Sequence, residues 1–424
     1  MLSFLDLAAL LLTLSAVFAW LSHKFLPLPR TIGLLVMSVA SSLVLVIVDV
    51  AVPQQHLYDA LTDVLLQIDF SDVVMNGMLA FLLFAGALHV DLGKLRSRAW
   101  SVAILAGLGT VTSTALVGVG TWWAAKWAGH PIGLGWALVF GALISPTDPI
   151  AVPSALKNVN VPASLGVEAQ GESLFNDGVG VVLFTILLRF AMEGAGAHTG
   201  PAAVAELLLL EAGGGLLLGV ITGYVAYWGM RLIDDYAIEV LITLALVTGT
   251  YALAQKLHMS GPLSVVSAGL LIGDRGTRYA MSERTKTYVF GLWTLIDEIL
   301  NSVLLLLIGL EVLVLRFAGV SLLLAAAAIP IVLLGRLIAV AAPVGLFAWS
   351  NLMLSARNVP FLTWAGVRGG ISVALVLSIP DNPAKPALLG ATYAVVLFSI
   401  IVQGSTLGIV ARRTVKIEPD RRRD

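Results

Sequence analysis

The sequence predicts an all-α polytopic membrane protein of about 13 transmembrane helices, in two inverted six-helix repeats with discontinuous crossing helices. Three observations lead to this fold class. The 424-residue chain is 58% hydrophobic and only 12% charged, whereas a soluble domain carries about 25% charged residues. Apolar runs of about 20 residues, long enough to cross a bilayer, alternate with polar turns. Two of these runs contain helix-breaking residues near their centres.

The predicted spans follow the apolar runs in order along the chain. They cover residues 4–26, 31–52, 69–91, 99–123, 134–156, 165–191, 203–230, 236–257, 261–274, 288–314, 318–348, 359–379 and 387–411. The first six and the last six spans form the two blocks, and the seventh span connects them. The fifth and twelfth spans, which contain the breaks, then cross the membrane in opposite directions, which is typical of the inverted repeats of secondary transporters.

Loop charges predict the orientation of the chain. With the N-terminus outside, 18 of the 25 Lys and Arg residues fall in cytoplasmic segments, five fall in outer loops and two fall within spans. Cytoplasmic loops carry the excess of Lys and Arg in membrane proteins. We therefore expect residues 1–411 to form a multi-pass transmembrane domain of the cell membrane with its N-terminus outside. A short basic cytoplasmic tail follows at 412–424.

Overall composition excludes several classes of function. The net charge of −1 argues against nucleic acid as a partner. The chain contains no cysteine, which excludes disulfides, thiol catalysis and Cys-based metal sites. The lipid bilayer is the one partner that composition alone predicts.

One polar stretch, 171–178, interrupts the sixth span. Its side chains Glu172, Ser173, Asn176 and Asp177 fall within an arc of about 140° on a helix. A carboxylate in hydrocarbon costs roughly 2.5–3.5 kcal/mol on insertion scales, so intramembrane acids indicate a functional site by default. This polar stripe must therefore face the protein interior or a wet cavity.

The fifth span is interrupted by Pro146 and Pro149, which stand three residues apart. Each proline removes a hydrogen-bond donor and clashes with the carbonyl four residues earlier, so the carbonyls of Ala142 and Ser145 lose their intrahelical partners. Asp148 lies in the stretch that must unwind. Freed carbonyls and a carboxylate together suit an alkali cation. Neither Asp148 nor Asp177 has a base nearby in sequence, so we expect each to exchange a bound proton or cation.

The twelfth span contains three glycines around Arg368, which predicts a second break. Two roles remain open for Arg368: it neutralises the site when no cation is bound, or it caps carbonyls freed at the break. Two roles also remain open for Asn176, which either fixes its helix against the unwound chain or joins helices as a polar contact worth about 0.6 kcal/mol.

Glu172 and Arg336 are two further charges within apolar spans. Arg336 lies in the middle of the eleventh span. Because intramembrane charges of opposite sign are usually paired, we expect these two to form a structural ion pair rather than to carry ions.

Together these motifs resemble the signature of monovalent cation/proton antiporters of the NhaP and NHE type. The resemblance extends over the whole chain in order and spacing, and its motifs are Ser-Pro-Thr147-Asp148-Pro, Gly-Glu172-Ser173-Leu-Phe-Asn176-Asp177-Gly, Gly-Arg336 and Gly-Val-Arg368-Gly-Gly. It implies an NhaA/NhaP-like antiporter fold. A core domain at about 99–191 and 318–411 would move against a scaffold at about 4–91 and 203–314, and the scaffold would form a homodimer.

The resemblance also implies roles for the site residues. Asp177 would carry the ion and the proton, while Asp148, Thr147 and Ser173 would help to bind the alkali cation. Glu172 would pair with Arg336, in agreement with the expectation from buried charge. An Asn-Asp pair, here Asn176 with Asp177, is associated in the family with electroneutral exchange. No cofactor is implied beyond the transported Na⁺ and H⁺.

One position departs from the family pattern. Some relatives have a glutamate in the third helix, in a Phe-Glu-Gly-Ala-Leu setting, whereas this chain has Ala85 there, between Phe84 and Gly86. The substitution removes one possible ligand of the cation.

The predicted function is antiport of a monovalent cation, Na⁺ first and Li⁺ or K⁺ next, against H⁺ by competition at Asp177, in the service of pH homeostasis. The main alternative is a sodium-coupled symporter of a small organic anion, with Arg368 as the substrate's anchor. A further alternative is an intramembrane hydrolase that uses Asp148 and Asp177 as a dyad. The sequence is also compatible with a passive channel.

Overall fold

A computed structural model describes residues 4–51, 70–129, 131–148, 162–193, 207, 209–311, 322–347 and 356–415. Within these residues all regular structure is helical, which confirms the predicted class. The helices are α1 (Phe4–Phe25), α2 (Arg30–Ala51), α3 (Phe70–Leu88), α4 (Ala99–Trp127), α5 (Leu134–Ile144), α6 (Ala163–Glu193), α7 (Leu209–Arg231), α8 (Tyr236–Lys256), α9 (261–279), α10 (Glu283–Glu311), α11 (Leu322–Leu346), α12 (half-helices Val359–Trp364 and Gly370–Leu377) and α13 (Lys385–Thr414). A short helix, Leu92–Ser97, lies between α3 and α4.

Ten of the described helices are long and apolar enough to cross a membrane, so the chain is a multi-pass membrane protein. Helix α5 is shorter, because its apolar run stops at the proline break. The predicted second half of that span, 149–156, lies outside the described residues, as does the tail from 416. The total number of membrane crossings therefore stays a prediction.

Several helix ends differ from their predicted positions by a few residues. Helix α9 continues past 274 to 279 through a π-helical turn at Ile272–Gly276. These last residues are polar, so a boundary drawn from hydropathy leaves them out. Helix α4 reaches Trp127 and α13 reaches Thr414. Long side chains with polar tips are stable at membrane interfaces, so a helix can extend past the point where hydropathy alone would end it.

Polar residues cap the helices where the loops are short. Asp235 accepts hydrogen bonds from the backbone at the start of α8, and Ser260 does the same for α9. Asp91 caps Leu92–Ser97 through the backbone N–H of Lys94, and this bond lowers the pKa of the Asp91 carboxyl. Side-chain oxygens satisfy the N–H groups that the first helical turn leaves free.

The helices pack in two sets that meet along α3, α5, α6, α10 and α12. In one set α4 contacts α5 and α11, and α11 contacts α13; in the other α9 contacts α3 and α7, and α10 contacts α2. Glycine permits the closest of these contacts. A Cβ at Gly141 of α5 would overlap the carbonyl of Thr114 on α4. The broken helices lie where the two sets meet.

Candidate functional site at the two helix breaks

The breaks in α5 and α12 lie against each other. The regular helix α5 ends at Ile144 and the chain is non-helical through Asp148, and α12 is interrupted between Trp364 and Gly370. The backbone N–H of Asp148 donates to the carbonyl of Val367 at 2.7 Å, which ties one unwound stretch to the other. A Cβ at Gly369 would lie 3.3 Å from the Cβ of Asp148. Glycine at this position thus permits the close crossing that the inverted repeat requires.

Arg368 caps the broken end of α5. Its guanidinium donates to the carbonyl of Ser145 and, at 2.9 Å, to the carbonyl of Pro146. Ser145 is one of the residues whose carbonyl the prolines were expected to free. The geometry therefore matches the capping role, but on the opposite helix rather than on Arg368's own. Arg368 also interacts electrostatically with Asp177, so it supplies positive charge beside the site.

Two side chains of α13 hold both ends of the break in α12. The backbone N–H of Arg368 donates to Ser399 Oγ at 2.8 Å, and Ser399 donates to Gln403 at 2.5 Å. The amide of Gln403 donates in turn to the carbonyl of Trp364 at 3.3 Å. Sequence reasoning missed Ser399 and Gln403. The available signal was a pair of polar residues four apart within the last apolar run, one helical turn from each other.

Asn176 holds the unwound stretch of α5 with both ends of its amide. The N–H of Thr147 donates to Asn176 Oδ1 at 3.2 Å, and Asn176 Nδ2 donates to Thr147 Oγ1 at 2.9 Å. Thr147 Oγ1 also shares a hydrogen bond of 2.8 Å with the hydroxyl of Ser173. All three side chains are buried. Of the two interpretations of Asn176, the geometry matches fixation of α6 against the unwound chain.

Asp148 and Asp177 lie in the wall of one small cavity. The cavity measures about 40 Å³, room for a few waters or a partly dehydrated cation. Its wall is formed by Leu79, Leu82, Leu83, Pro146, Thr147, Asp148, Asp177, Asn301, Leu304, Gly369, Gly370, Ile371 and Ser372. Asp177 is 1% exposed, and its Oδ2 has no hydrogen-bond partner among the described residues. Ser173 lies behind this wall and touches it through Thr147.

Glu172 and Arg336 form a two-pronged ion pair one helical turn from this cavity. One guanidinium nitrogen of Arg336 donates to Glu172 Oε1, and the other donates to Oε2 at 2.8 Å. The second nitrogen also donates to the carbonyl of Leu362 at 3.2 Å. This links α6, α11 and the first half of α12 at a point that the cavity does not reach.

The described part of the third helix contributes no polar side chain to the cavity wall. Ala85 is buried but does not line it, and α3 reaches it only through leucines. On the facing side α10 contributes Asn301, whose amide nitrogen donates to the backbone and side chain of Asp297.

Residues 11–413 match the protein family described as the transmembrane sodium/hydrogen exchanger. The chain belongs to this family. The exchanger is 41% identical to the Na⁺/H⁺ antiporter NhaP of Pseudomonas aeruginosa over 98% of both chains. It is 37% identical to the Na⁺/H⁺ antiporter NhaH of Halobacillus aidingensis over 81% of this chain and 83% of the other.

The exchanger also shares its fold with a solved antiporter structure. The sodium proton antiporter MjNhaP1 of Methanocaldococcus jannaschii superimposes with a TM-score of 0.73 at 19% identity, over 96% of this chain and 97% of the other. The predicted antiporter fold is thereby confirmed. The family consists of transporters, so the hydrolase interpretation was wrong. The relatives and the solved structure named above are Na⁺/H⁺ antiporters, so they do not support a symporter of organic anions.

Proposed function

We propose that this chain is a secondary active antiporter that exchanges Na⁺ for H⁺ by competition at Asp177, with Li⁺ and K⁺ as further candidate cations. The observation that carries the proposal is the buried carboxylate of Asp177. It lines the cavity at the crossing of two broken helices, and its Oδ2 has no hydrogen-bond partner among the described residues. The relatives named as Na⁺/H⁺ antiporters support the same exchange.

Competition at one carboxylate couples the two flows. Asp177 binds a proton or a dehydrated cation, and each of them neutralises its charge. An ionised, empty site is costly to carry through a low-dielectric barrier. The protein therefore changes its accessible side with either ion bound, and an uphill flow of one is driven by the downhill flow of the other.

The neighbouring residues divide the work of binding the cation. Asp148 and Thr147 offer oxygens from the cavity wall, while Ser173 acts through its hydrogen bond to Thr147. Asn176 fixes the position of Thr147. Glu172 and Arg336 hold the helices and carry no ion. Arg368 keeps the broken end of α5 in place and balances part of the negative charge.

At the level of the whole molecule, we propose a core at about 99–191 and 318–411 that moves against a scaffold at about 4–91 and 203–314. The scaffold would form a homodimer in the cell membrane, with the N-terminus outside and the C-terminus cytoplasmic. One proton would exchange for one monovalent cation, so that the cycle moves no net charge.

The experiment that tests the exchange uses purified protein in proteoliposomes with a pH-sensitive dye inside. Initial proton flux is measured against external Na⁺ at a series of external pH values. Competition predicts that the apparent KM for Na⁺ rises as the pH falls, by up to about tenfold per pH unit where the site is mostly protonated. The maximal rate at saturating Na⁺ stays the same in that series. A KM that does not change with pH would refute competition.

A further inference from the structure

The hydroxyl of Ser372 resembles the carboxylate of Asp177 in being a buried polar group beside the cavity. The hydroxyl of Ser372 is buried, with 1% of the residue exposed. Like Asp177 Oδ2, its Oγ has no hydrogen-bond partner among the described residues. Both residues line the same cavity at the crossing of the breaks. Buried polar atoms nearly always have a partner, so an exception beside a candidate ion site points to a ligand.

The break in α12 explains why Ser372 has no partner within its own helix. Buried hydroxyls of this chain usually donate to a carbonyl three or four residues earlier. Ser38, Thr110, Ser264 and Thr392 all do so. For Ser372 the residue four earlier is Arg368, which lies in the unwound stretch before the half-helix begins at Gly370. The hydroxyl is therefore free to point elsewhere.

Other described hydroxyls without partners do not share this setting. The buried hydroxyls of Ser15, Ser22, Thr121 and Tyr393 also have no partner among the described residues. None of these four lines the cavity that holds Asp148 and Asp177. Position beside two carboxylates, and not the lack of a partner alone, distinguishes Ser372.

We propose that the Ser372 hydroxyl is a further ligand of the transported cation. The proposal rests on the proposed exchange and extends its ligand set to the second broken helix. Thr147 and Asp148 reach the cavity from α5, Asp177 reaches it from α6, and Ser372 closes it from α12. A hydroxyl oxygen is a hard ligand suited to alkali cations. Because it is neutral, it strengthens cation binding without adding a charge that the exchanged proton would have to balance.

The ligand role predicts an effect on the cation and not on the proton. In proteoliposomes we expect Ser372→Ala to raise the apparent KM for Na⁺ by roughly tenfold, with a smaller change in the maximal rate. Ser372→Cys keeps the shape but replaces oxygen by soft sulfur, so its KM rises in the same way. Ser372→Thr keeps the hydroxyl and restores most of the affinity. The pH dependence measured at saturating Na⁺ stays that of the wild type in all three variants.

The matched control is Ser264→Ala, which removes a buried helical hydroxyl that donates to its own helix. We expect its KM for Na⁺ to stay within about twofold of the wild type. A second readout, independent of transport, is the rise in unfolding temperature that Na⁺ causes in detergent, since a ligand stabilises the state it binds. This rise should be smaller for Ser372→Cys than for the wild type.

Two results would overturn the inference while leaving the exchange intact. One is an unchanged KM for Na⁺ in Ser372→Ala and Ser372→Cys. The other is an equal loss of rate for Na⁺ and Li⁺ at unchanged KM, which a purely structural role would give. Failure of the proposed function looks different, because wild-type protein would then show no Na⁺-driven proton flux. If Ser372→Ala does not fold, the Cys and Thr variants decide the question.

Discussion

Asn176 is the residue that joins the helix of Asp177 to the unwound stretch of α5. Its amide oxygen accepts a hydrogen bond from the backbone N–H of Thr147, and its amide nitrogen donates one to the Thr147 hydroxyl. A buried amide that loses one such partner leaves an unsatisfied group, at a cost of about 1–3 kcal/mol. Asn176 therefore fixes the distance between the cavity wall and the helix that carries Asp177.

We predict that Asn176→Ala lowers the free energy of unfolding by about 1–3 kcal/mol and raises the apparent KM for Na⁺, because Thr147 loses its position. Thermal unfolding in detergent and proteoliposome flux measure the two effects. The control is Gln255→Ala, which removes an exposed amide bonded to Asn76 and should change neither. Wild-type KM in Asn176→Ala would show that Thr147 needs no such support.

The pair of Glu172 and Arg336 permits a prediction about stability. Removing one partner leaves an uncompensated buried charge, so Glu172→Gln should destabilise the protein by about 3–5 kcal/mol. The double variant Glu172→Gln with Arg336→Met removes both charges and should regain most of that loss. Thermal unfolding of the two variants and the wild type checks this. A double variant less stable than the single one would contradict a structural role for the pair.

At the scale of elements, the proline break fits against α6 only because α6 has a glycine there. A Cβ at Gly180 would overlap Cγ of Pro146 and lie 3.0 Å from its Cδ. The proline ring is stiff, and its neighbours Thr147 and Asp148 line the cavity. Any shift of Pro146 therefore moves the wall of the site.

We predict that Gly180→Ala destabilises the protein by about 1–3 kcal/mol through overpacking and reduces Na⁺-driven proton flux. The matched control lies in the same helix. Gly166→Ala meets no atom within 4 Å and should be neutral or slightly stabilising, since alanine favours helices. Unfolding temperatures and flux are measured side by side. Equal behaviour of the two variants would mean that contact with Pro146 is not tight.

The sequence predicts the helices and their breaks more completely than it predicts the contacts between them. Prolines and glycines locate both breaks, and the spacing of polar residues places Asp177, Asn176 and Glu172 on one stripe. Buried opposite charges lead directly to the contact between Glu172 and Arg336. The support from Ser399 could not be predicted, because no local pattern tells which carbonyl or N–H a distant serine will meet. Arg368 likewise caps α5 and not its own helix, which depends on how the breaks cross.

At the scale of the whole molecule, the exchange of one proton for one cation predicts insensitivity to voltage. A net charge moved per cycle would gain about 2.3 kcal/mol from 100 mV and would change the rate strongly. We expect a potassium diffusion potential set with valinomycin to change the Na⁺-driven proton flux by less than about twofold. The measurement uses Na⁺ as the test cation, with an uncoupler as the control for dye response. A flux that follows the sign of the potential would contradict electroneutral exchange.

The central claim is that Asp177 carries the cation and the proton in turn. The most direct measurement compares wild-type protein with Asp177→Asn in proteoliposomes under the same Na⁺ and pH gradients. Asparagine keeps the size of the side chain but can neither ionise nor exchange a proton. The account predicts that Na⁺-driven proton flux in the variant falls to the level of empty liposomes. The variant still unfolds cooperatively on heating, as the wild type does, which shows that it is folded. Proton flux at the wild-type rate in Asp177→Asn would contradict it.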